Sequence, residues 1–284
     1  MDHILQTREL SKSYGRIVAV NGLSLEVKPG QVFGLLGPNG SGKTTTLSII
    51  TGVARADKGE YTWFGTAPNS RSRKEIGSLI EVPRFYPYLS LLRNLEVAAS
   101  IKEAPVADIE RVLSVTGLHE RRNSAFNTLS LGMKQRLAIA SVLLGDPRVL
   151  VLDEPANGLD PGGIADVRKI ILASHILDEV EKVCSHATVL KKGIAIAAGP
   201  VGELLSGEDQ VVVAAANLPA LEESLIRSGM TSSVRPEGGD LVVVMKKGYG
   251  SGDLNEYAFS KGFVLDKLWT GKKSLESQFL ELVK

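Results

Sequence analysis

A glycine-rich segment early in the chain has the residue types and spacing of a phosphate-binding loop. It satisfies G-x-x-x-x-G-K-[ST] and gives nine predicted nucleotide-binding residues: Gly37, Pro38, Asn39, Gly40, Ser41, Gly42, Lys43, Thr44 and Thr45. The glycines let backbone N–H groups wrap a phosphate, Lys43 reaches the β- and γ-phosphates, and Thr44 offers a hydroxyl to Mg²⁺. A glycine-rich turn without a ligand is the alternative, and it leaves the lysine and threonine in register unexplained.

Two acidic residues stand where a nucleotide hydrolase needs them. The run Arg148–Leu152, apolar after its first residue, predicts a buried parallel strand followed by Asp153 and Glu154. Asp153 is placed to ligate Mg²⁺, and Glu154 to orient and deprotonate the attacking water. The alternative, an acidic turn at a strand end, is weak beside a phosphate loop. His175, after a second apolar run, is a candidate γ-phosphate contact, although a single histidine after a strand is more often structural.

These residues need a sheet whose strands end at one edge. Alternating apolar positions and glycine turns predict strands in the first eighty residues, and apolar spacings of three and four predict helices at 43–51 and across 90–145. The predicted strands are Ile4–Leu10, Leu23–Val27, Gln31–Leu36, Glu60–Phe64 and Ile76–Glu81. The pattern indicates an α/β fold with a helical subdomain at about residues 90–145.

The last quarter of the chain has a different pattern. After residue 207 the order is β-α-β-β-α-β, with a final helix at 274–283. We therefore predict two domains, 1–207 and 208–284, the second a ferredoxin-like α+β domain. It contains no motif to which chemistry can be attached.

One connection is too short for its architecture. The predicted strand ending at Leu152 is followed by a loop, a possible helix at Gly162–Lys169, and then a strand that must begin at Ile170 without a turn. Our hypothesis is that about a dozen residues near 169–171 are absent from this sequence and that the natural chain is longer.

Composition excludes several classes of protein. The 284 residues carry 33 Lys and Arg against 32 Asp and Glu, so the net charge of +1 gives no reason to expect nucleic acid. The single cysteine, Cys184, excludes an internal disulfide and a cysteine-based zinc site. No run approaches the roughly 18 apolar residues of a membrane span, and the first residues do not form a signal sequence. We expect a cytosolic protein.

The order of motifs resembles the ATP-binding subunit of an ABC transporter over residues 4–206. The phosphate loop is followed by Leu-Ser-Leu-Gly-Met-Lys-Gln-Arg at 129–136, Val-Leu-Val-Leu-Asp-Glu-Pro at 149–155, Asn-Gly-Leu-Asp at 157–160 and Ser-His at 174–175. The segment at 129–136 is peculiar to this family. The particular residues of this segment, and those at the end of the chain, resemble the sequences of the branch that includes bacitracin-type and other peptide or drug exporters. The resemblance implies a P-loop NTPase core with an antiparallel β subdomain and a helical subdomain.

The resemblance also implies roles for single residues. Tyr14 would stack on adenine, Glu154 would be the general base, His175 would contact the γ-phosphate, and Asp160 would communicate across a dimer. Ser130 and Gly132 would belong to a signature that closes over the γ-phosphate of the partner subunit. The alternatives are an ordinary turn aromatic for Tyr14 and a plain capped amphipathic helix after Ser130.

The sequence departs from the family pattern in three places. Leu131 stands where the first of two glycines is usual. Glu81 stands where most members carry a glutamine that senses Mg²⁺ and water, and a carboxylate there can still ligate the metal. Ser185-His186 replaces the usual Asp-Arg after the helix that follows His175.

One phosphate loop and one signature per chain imply a head-to-tail homodimer that encloses two ATP molecules and moves separate membrane permease subunits. Within 81–89, Phe85, Tyr86 and Tyr88 are candidates for the permease contact, or for packing inside the helical subdomain. The family's position would be peripheral, at the cytoplasmic face of the membrane.

Two other functions compete with transport. The first is a soluble ATPase of this family that acts on nucleic acid or ribosomes, and the second is a nucleotide-gated module that hardly hydrolyses ATP. A GTPase is disfavoured because the chain has no Asn-Lys-x-Asp guanine motif.

Overall fold

The computed structural model describes residues 3–80, 84–155, 170–204 and 210–271. It divides into two compact units, Met1–Val201 and Gly202–Lys284. The predicted boundary between 207 and 208 lies among residues outside the described part and stays a prediction.

The described part of the first unit contains two sheets and several helices. In chain order its elements are β1 (Leu5–Tyr14), β2 (Ile17–Val27), β3 (Val32–Leu36), α1 (Lys43–Ile50), β4 (Lys58–Trp63), α2 (Ser70–Lys74), β5 (Ile76–Leu79), α3 (Leu91–Lys102), α4 (Asp108–Val115), α5 (Leu131–Leu143), β6 (Val149–Asp153), β7 (Ile170–Ser174), α6 (Leu177–Val183), β8 (His186–Lys191) and β9 (Ile194–Pro200). A turn of helix, α7 (Val201–Leu204), follows β9 at the boundary between the two units.

A six-stranded sheet forms the centre of this unit. Its order is β5-β6-β7-β3-β8-β9, parallel except for the last strand. The side chains of β6 before Asp153 and those of β7 are buried, as expected for parallel strands covered on both faces. Because parallel strands point the same way, the segments after β3, β6 and β7 meet at one edge.

Strand β7 begins at Ile170, as predicted, and pairs parallel with β6. The connection between them is residues 154–169 in this sequence, of which 156–169 lie outside the described residues. The predicted helix at 162–169 lies there. The hypothesis of a missing segment concerns the end of the same range and stays a prediction.

Strands β1, β2 and β4 form a separate antiparallel sheet in the order β2-β1-β4. Its inner side chains join those of β3 and α1 in one core around the fully buried Trp63. Backbone pairing extends β1 to Tyr14, four residues beyond the predicted strand end, because Lys12, Ser13 and Tyr14 each find a partner in β2.

Helices α3, α4 and α5 form the helical subdomain. Ser90 caps α3 by accepting a hydrogen bond from the Arg93 N–H at 3.2 Å. The last carbonyls of α5 are capped by cations from the other two helices: Lys102 donates to Val142 O at 2.9 Å, and Arg111 to Leu143 O at 3.0 Å. Burial lowers the pKa of Lys102 to about 8.

The second unit contains β10 (Gln210–Ala215), α8 (Leu218–Arg227), β11 (Thr231–Glu237), β12 (Asp240–Met245), α9 (Ser251–Ser260) and β13 (Leu265–Gly271). The order is the predicted β-α-β-β-α-β, and the strands form one antiparallel sheet, β11-β12-β10-β13. Its core includes Val211 and Val213 against Leu221 and Leu254 of the two helices. The predicted final helix at 274–283 lies outside the described residues.

Among the described residues, no helix combines the length and the hydropathy needed to cross a bilayer.

Candidate nucleotide-binding site

The phosphate loop connects β3 to α1 at the carboxyl edge of the central sheet. Two glycines are sterically required in it. A Cβ on Gly37 would lie 2.3 Å from Ser41 Oγ and 2.5 Å from Leu190 O, and a Cβ on Gly42 would lie 2.3 Å from Ala19 O. Gly42 also has φ +104°, a conformation that side chains disfavour. The loop therefore presents backbone toward a ligand and begins α1 with free N–H groups.

Lys43 is the buried cation of this loop. Its Nζ donates to Gly37 O at 2.8 Å and lies 3.8 Å from Glu154 Oε1, with 5% of the side chain exposed. Burial lowers its pKa, while the charges of Glu154 and Asp153 oppose that shift. The carboxylates thus help to keep the ammonium charged where phosphates would bind.

Thr44 and Asp153 meet across 109 residues of sequence. The Thr44 hydroxyl donates to Asp153 Oδ2 at 2.6 Å. The other carboxylate oxygen, Oδ1, is buried and has no hydrogen-bond partner among the described residues. Burial raises the pKa of Asp153, while the hydrogen bond from Thr44 and the charge of Lys43 oppose that shift. A hydroxyl beside an unsatisfied carboxylate oxygen is the donor set that Mg²⁺ prefers, so these residues fit the metal.

Glu154 occupies a strained backbone position at the end of β6. Its φ is +42°, in the left-handed region that glycine favours, and its N–H donates to Ala173 O at 2.8 Å. This conformation directs the carboxylate toward Lys43 and toward His175, whose Nδ1 lies 2.9 Å from Glu154 Oε1. The structure therefore brings His175 to the carboxylate of Glu154.

The signature residues stand at the open N-terminus of α5. Ser130 is the N-cap, with the Met133 N–H 3.4 Å from its Oγ. In the part of the chain that the structure describes, a Cβ on Gly132 would meet nothing within 4 Å, and Leu131 is 74% exposed. Leu131 therefore causes no strain within the chain, although it replaces a glycine.

A cavity of about 490 Å³ lies between the phosphate loop and α5. It is lined on the nucleotide side by Asn39, Thr44, Asp153 and Glu154, and on the apolar side by Leu79, Ile80, Phe85, Phe126, Leu131 and Ile139, among others. Glu81, predicted to reach the metal, lies outside the described residues, although its neighbour Ile80 lines this cavity.

Tyr14 is 52% exposed at the end of β1. It pairs with Ile17 of β2, which is 71% exposed, and two residues further Ala19 packs its carbonyl against Gly42 of the phosphate loop. The hairpin thus presents two exposed side chains a few residues before the carbonyl that meets the phosphate loop. Sequence reasoning did not single out Ile17, an apolar residue two positions after the glycine of the Tyr-Gly turn.

Comparison with known proteins identifies the family. Residues 20–157 match the family model described as "ABC transporter". The whole chain aligns at 30% identity with 97% of the bacitracin transport ATP-binding protein BcrA of Enterococcus faecalis. The chain belongs to the ATP-binding subunits of ABC transporters. ATP hydrolysis coupled to transport is the activity of this family, and the resemblance drawn from the motifs is confirmed.

Two further comparisons agree. The Nod factor export ATP-binding protein I of Cupriavidus metallidurans is 34% identical over 84% of this chain and 85% of its own length. A solved ATP-binding subunit of an ABC transporter superposes with a TM-score of 0.64 at 27% identity, over 71% of this chain and 91% of that one. The predicted P-loop NTPase fold of an ABC transporter subunit is therefore confirmed.

The aromatic residues Phe85, Tyr86 and Tyr88 of this ABC transporter subunit differ in their surroundings. Phe85 packs against Phe126 with ring centroids 5.3 Å apart, inside the helical subdomain. Tyr86 and Tyr88 are 48% and 74% exposed. The buried amide of Asn94 holds this segment, since it accepts from the Tyr86 N–H at 2.8 Å and donates to the Tyr86 carbonyl at 3.2 Å.

Two other family positions complete the description. Ser185, where the family usually has aspartate, donates to Val32 O and accepts from the Val32 N–H, both at 3.2 Å, and so fastens the start of β8 to β3. Asp160, implied in communication across a dimer, lies outside the described residues.

Proposed function

We propose that this chain binds ATP and Mg²⁺ at the phosphate loop and hydrolyses ATP to drive export through a separate membrane permease. The observation that carries the proposal is the convergence of four side chains from two segments. Thr44 lies 2.6 Å from Asp153, and Lys43 lies 3.8 Å from Glu154. A hydroxyl, a metal-ligating carboxylate, a buried ammonium and a second carboxylate are the parts that phosphoryl transfer to water requires.

Each side chain has a separate task in this mechanism. Lys43 and the loop N–H groups bind the β- and γ-phosphates, while Thr44 and Asp153 hold Mg²⁺, which neutralises phosphate charge when bound. Glu154 orients a water whose oxygen bonds to the γ-phosphorus. The bond from that phosphorus to the β–γ bridging oxygen breaks, and the water proton passes to Glu154. His175 orients Glu154 and contacts the γ-phosphate.

The site is completed by a second copy of the chain. Ser130 and Gly132 stand on an exposed helix N-terminus, which favours anions. In a two-fold, head-to-tail homodimer this end closes over the nucleotide held by the partner, so that two ATP molecules are enclosed. ATP closes the dimer, hydrolysis opens it, and Asp160 carries the signal between the two sites.

Motion passes to the permease through residues 81–89, at the cytoplasmic face of the membrane. The exposed Tyr86 and Tyr88 support this contact, because aromatic residues are enriched at interfaces. The relatives named above are transport subunits, which favours transport over the competing action on nucleic acid or ribosomes. Co-purification of a polytopic membrane protein from detergent extracts supports the proposal, whereas co-purification of ribosomes or nucleic acid contradicts it.

The test of mechanism is Glu154→Gln, which keeps the size of the side chain and removes the base. We expect steady ATP hydrolysis to fall by about 10²- to 10⁴-fold, while ATP still drives dimerisation on a sizing column. Glu223→Gln, at an exposed position on α8, is the matched control and keeps wild-type turnover. Unimpaired hydrolysis by Glu154→Gln would show that Glu154 is not the general base.

A further inference from the structure

The end of β1 carries an ion pair that the proposed chemistry does not use. Lys12 Nζ lies 2.8 Å from Asp57 Oδ1, and the same ammonium lies 5.5 Å from the centroid of the Tyr14 ring. The Lys12 side chain is 17% exposed, although it belongs to a surface hairpin. A lysine held this way over an aromatic face makes a cation–π contact.

Asp57 also fixes the backbone that leads to Tyr14. Its Oδ2 accepts a hydrogen bond from the Ser13 N–H at 2.7 Å, and its own N–H donates to Ser11 O at 2.8 Å. Hydrogen bonds from Lys12 and the Ser13 N–H hold the pKa of Asp57 below its usual value. The residue just before β4 thus contacts three consecutive residues of β1, immediately before the tyrosine.

Tyr14 needs such support because little else surrounds it. Its ring is 52% exposed, and its partner across the hairpin, Ile17, is 71% exposed. An exposed aromatic at a strand end changes rotamer freely, and that freedom is lost when a base stacks on it. A ring already held by Lys12 loses less entropy on binding.

We infer that Asp57 and Lys12 are positioning residues that hold Tyr14 in place to stack on the base of the bound nucleoside triphosphate. The inference rests on the proposed binding of ATP and on the stacking of Tyr14 on adenine that the family resemblance implies. Asp57 fixes the strand and the ammonium, the ammonium fixes the ring, and the ring contacts the base. The pair therefore contributes to the affinity for the base and makes no contribution to phosphate binding or to bond cleavage.

The experiment measures binding by the purified full chain with two probes, ATP and inorganic tripolyphosphate, which carries the charges but no base. We expect Asp57→Ala and Lys12→Met to weaken ATP binding about three- to tenfold. Tripolyphosphate binding changes by less than about twofold, and kcat is retained while KM for ATP rises. Asp57→Asn keeps an acceptor for the Ser13 N–H and shows a smaller loss. Glu60→Gln, which removes the exposed partner of Arg8 on the same two strands, is the matched control.

A double-variant cycle then tests the route through Tyr14. In a Tyr14→Ala background, Asp57→Ala should weaken ATP binding by less than about 1.5-fold, because the ring that it positions is gone. Full additivity of the two losses, or equal loss of tripolyphosphate binding, overturns the inference. If Asp57→Ala fails to fold, Asp57→Asn and Lys12→Met decide the matter by the same criteria. A wild-type chain that binds no ATP defeats the proposed function as well, whereas wild-type binding with unaffected variants defeats this inference alone.

Discussion

Two helices of the first unit direct their N-termini toward phosphates in the proposed mechanism, and their surroundings differ. The N-terminus of α1 is enclosed: Lys43 is 5% exposed, and Gly42 has no room for a Cβ beside Ala19. The N-terminus of α5 is open, with Leu131 74% exposed and free space around Gly132 in the described part of the chain. The chain itself thus builds one half of the anion site, and in the proposed dimer the other half is supplied by the exposed α5 N-terminus of the partner.

The largest effect should come from Gly42→Ala. The new Cβ would meet Ala19 O at 2.3 Å while the backbone stays at φ +104°, so the loop and the hairpin cannot both keep their positions. We expect a loss of about 3 kcal/mol or more in unfolding free energy and no measurable ATP binding. Urea unfolding and calorimetry test this. A wild-type unfolding free energy together with wild-type ATP binding would show that the N-terminus of α1 has room for a Cβ at Gly42.

The matched change at the open helix, Gly132→Ala, should behave in the opposite way. Alanine fits the space and favours the helix, so the unfolding free energy stays equal or rises by up to about 1 kcal/mol. ATP binding to the monomer is unchanged. Hydrolysis falls about 10- to 100-fold, because the partner's nucleotide approaches this backbone closely only in the closed dimer. Unchanged hydrolysis would contradict the closing role of the signature.

A smaller effect should appear at the other end of α5. With its pKa lowered to about 8, Lys102 is neutral in the folded chain above that pH while the unfolded chain still binds a proton. The unfolding free energy of the wild type relative to Lys102→Met should therefore rise between pH 8 and 10.5, by on the order of 2 kcal/mol. Below pH 8 the difference becomes constant, because Lys102 is protonated in both states. Lys74→Met, at an exposed lysine, is the control. An equal rise in unfolding free energy relative to that variant would contradict the assignment of the effect to the burial of Lys102.

Sequence reasoning predicted the parts of the site that lie on strongly patterned segments. The residues 37–45, Asp153 and Glu154 follow buried apolar strands, so both their type and their meeting at one sheet edge could be inferred. Strands β8 and β9 were not predicted. In β9, Ile194, Ala195 and Ile196 give only a weak alternating signal between glycines. Pattern also could not find the contact of Lys12 with Asp57, because the two residues are 45 positions apart and meet only when β1 pairs with β4.

The strained φ of Glu154 and the buried amide of Asn94 were equally beyond the sequence. Each depends on a tertiary contact, with Ala173 O in one case and with the backbone of Tyr86 in the other. Local propensity opposes both placements, since glutamate rarely adopts a left-handed backbone and asparagine is rarely buried. Sites of this kind are where local rules are expected to fail.

The capped C-terminus of α5 has a mechanical consequence. Lys102 links α3 to the last turn of α5, and Arg111 links α4 to the same turn. The three helices are therefore joined at the end of α5 that is remote from Ser130. Thirteen residues of helix make a lever arm of roughly 20 Å, on which a rotation of about 5° displaces Ser130 by nearly 2 Å. Asn94, on α3, fastens the segment with Tyr86 to the same body. In the proposed function, a displacement of those tyrosines by the permease would therefore rotate this body and move Ser130.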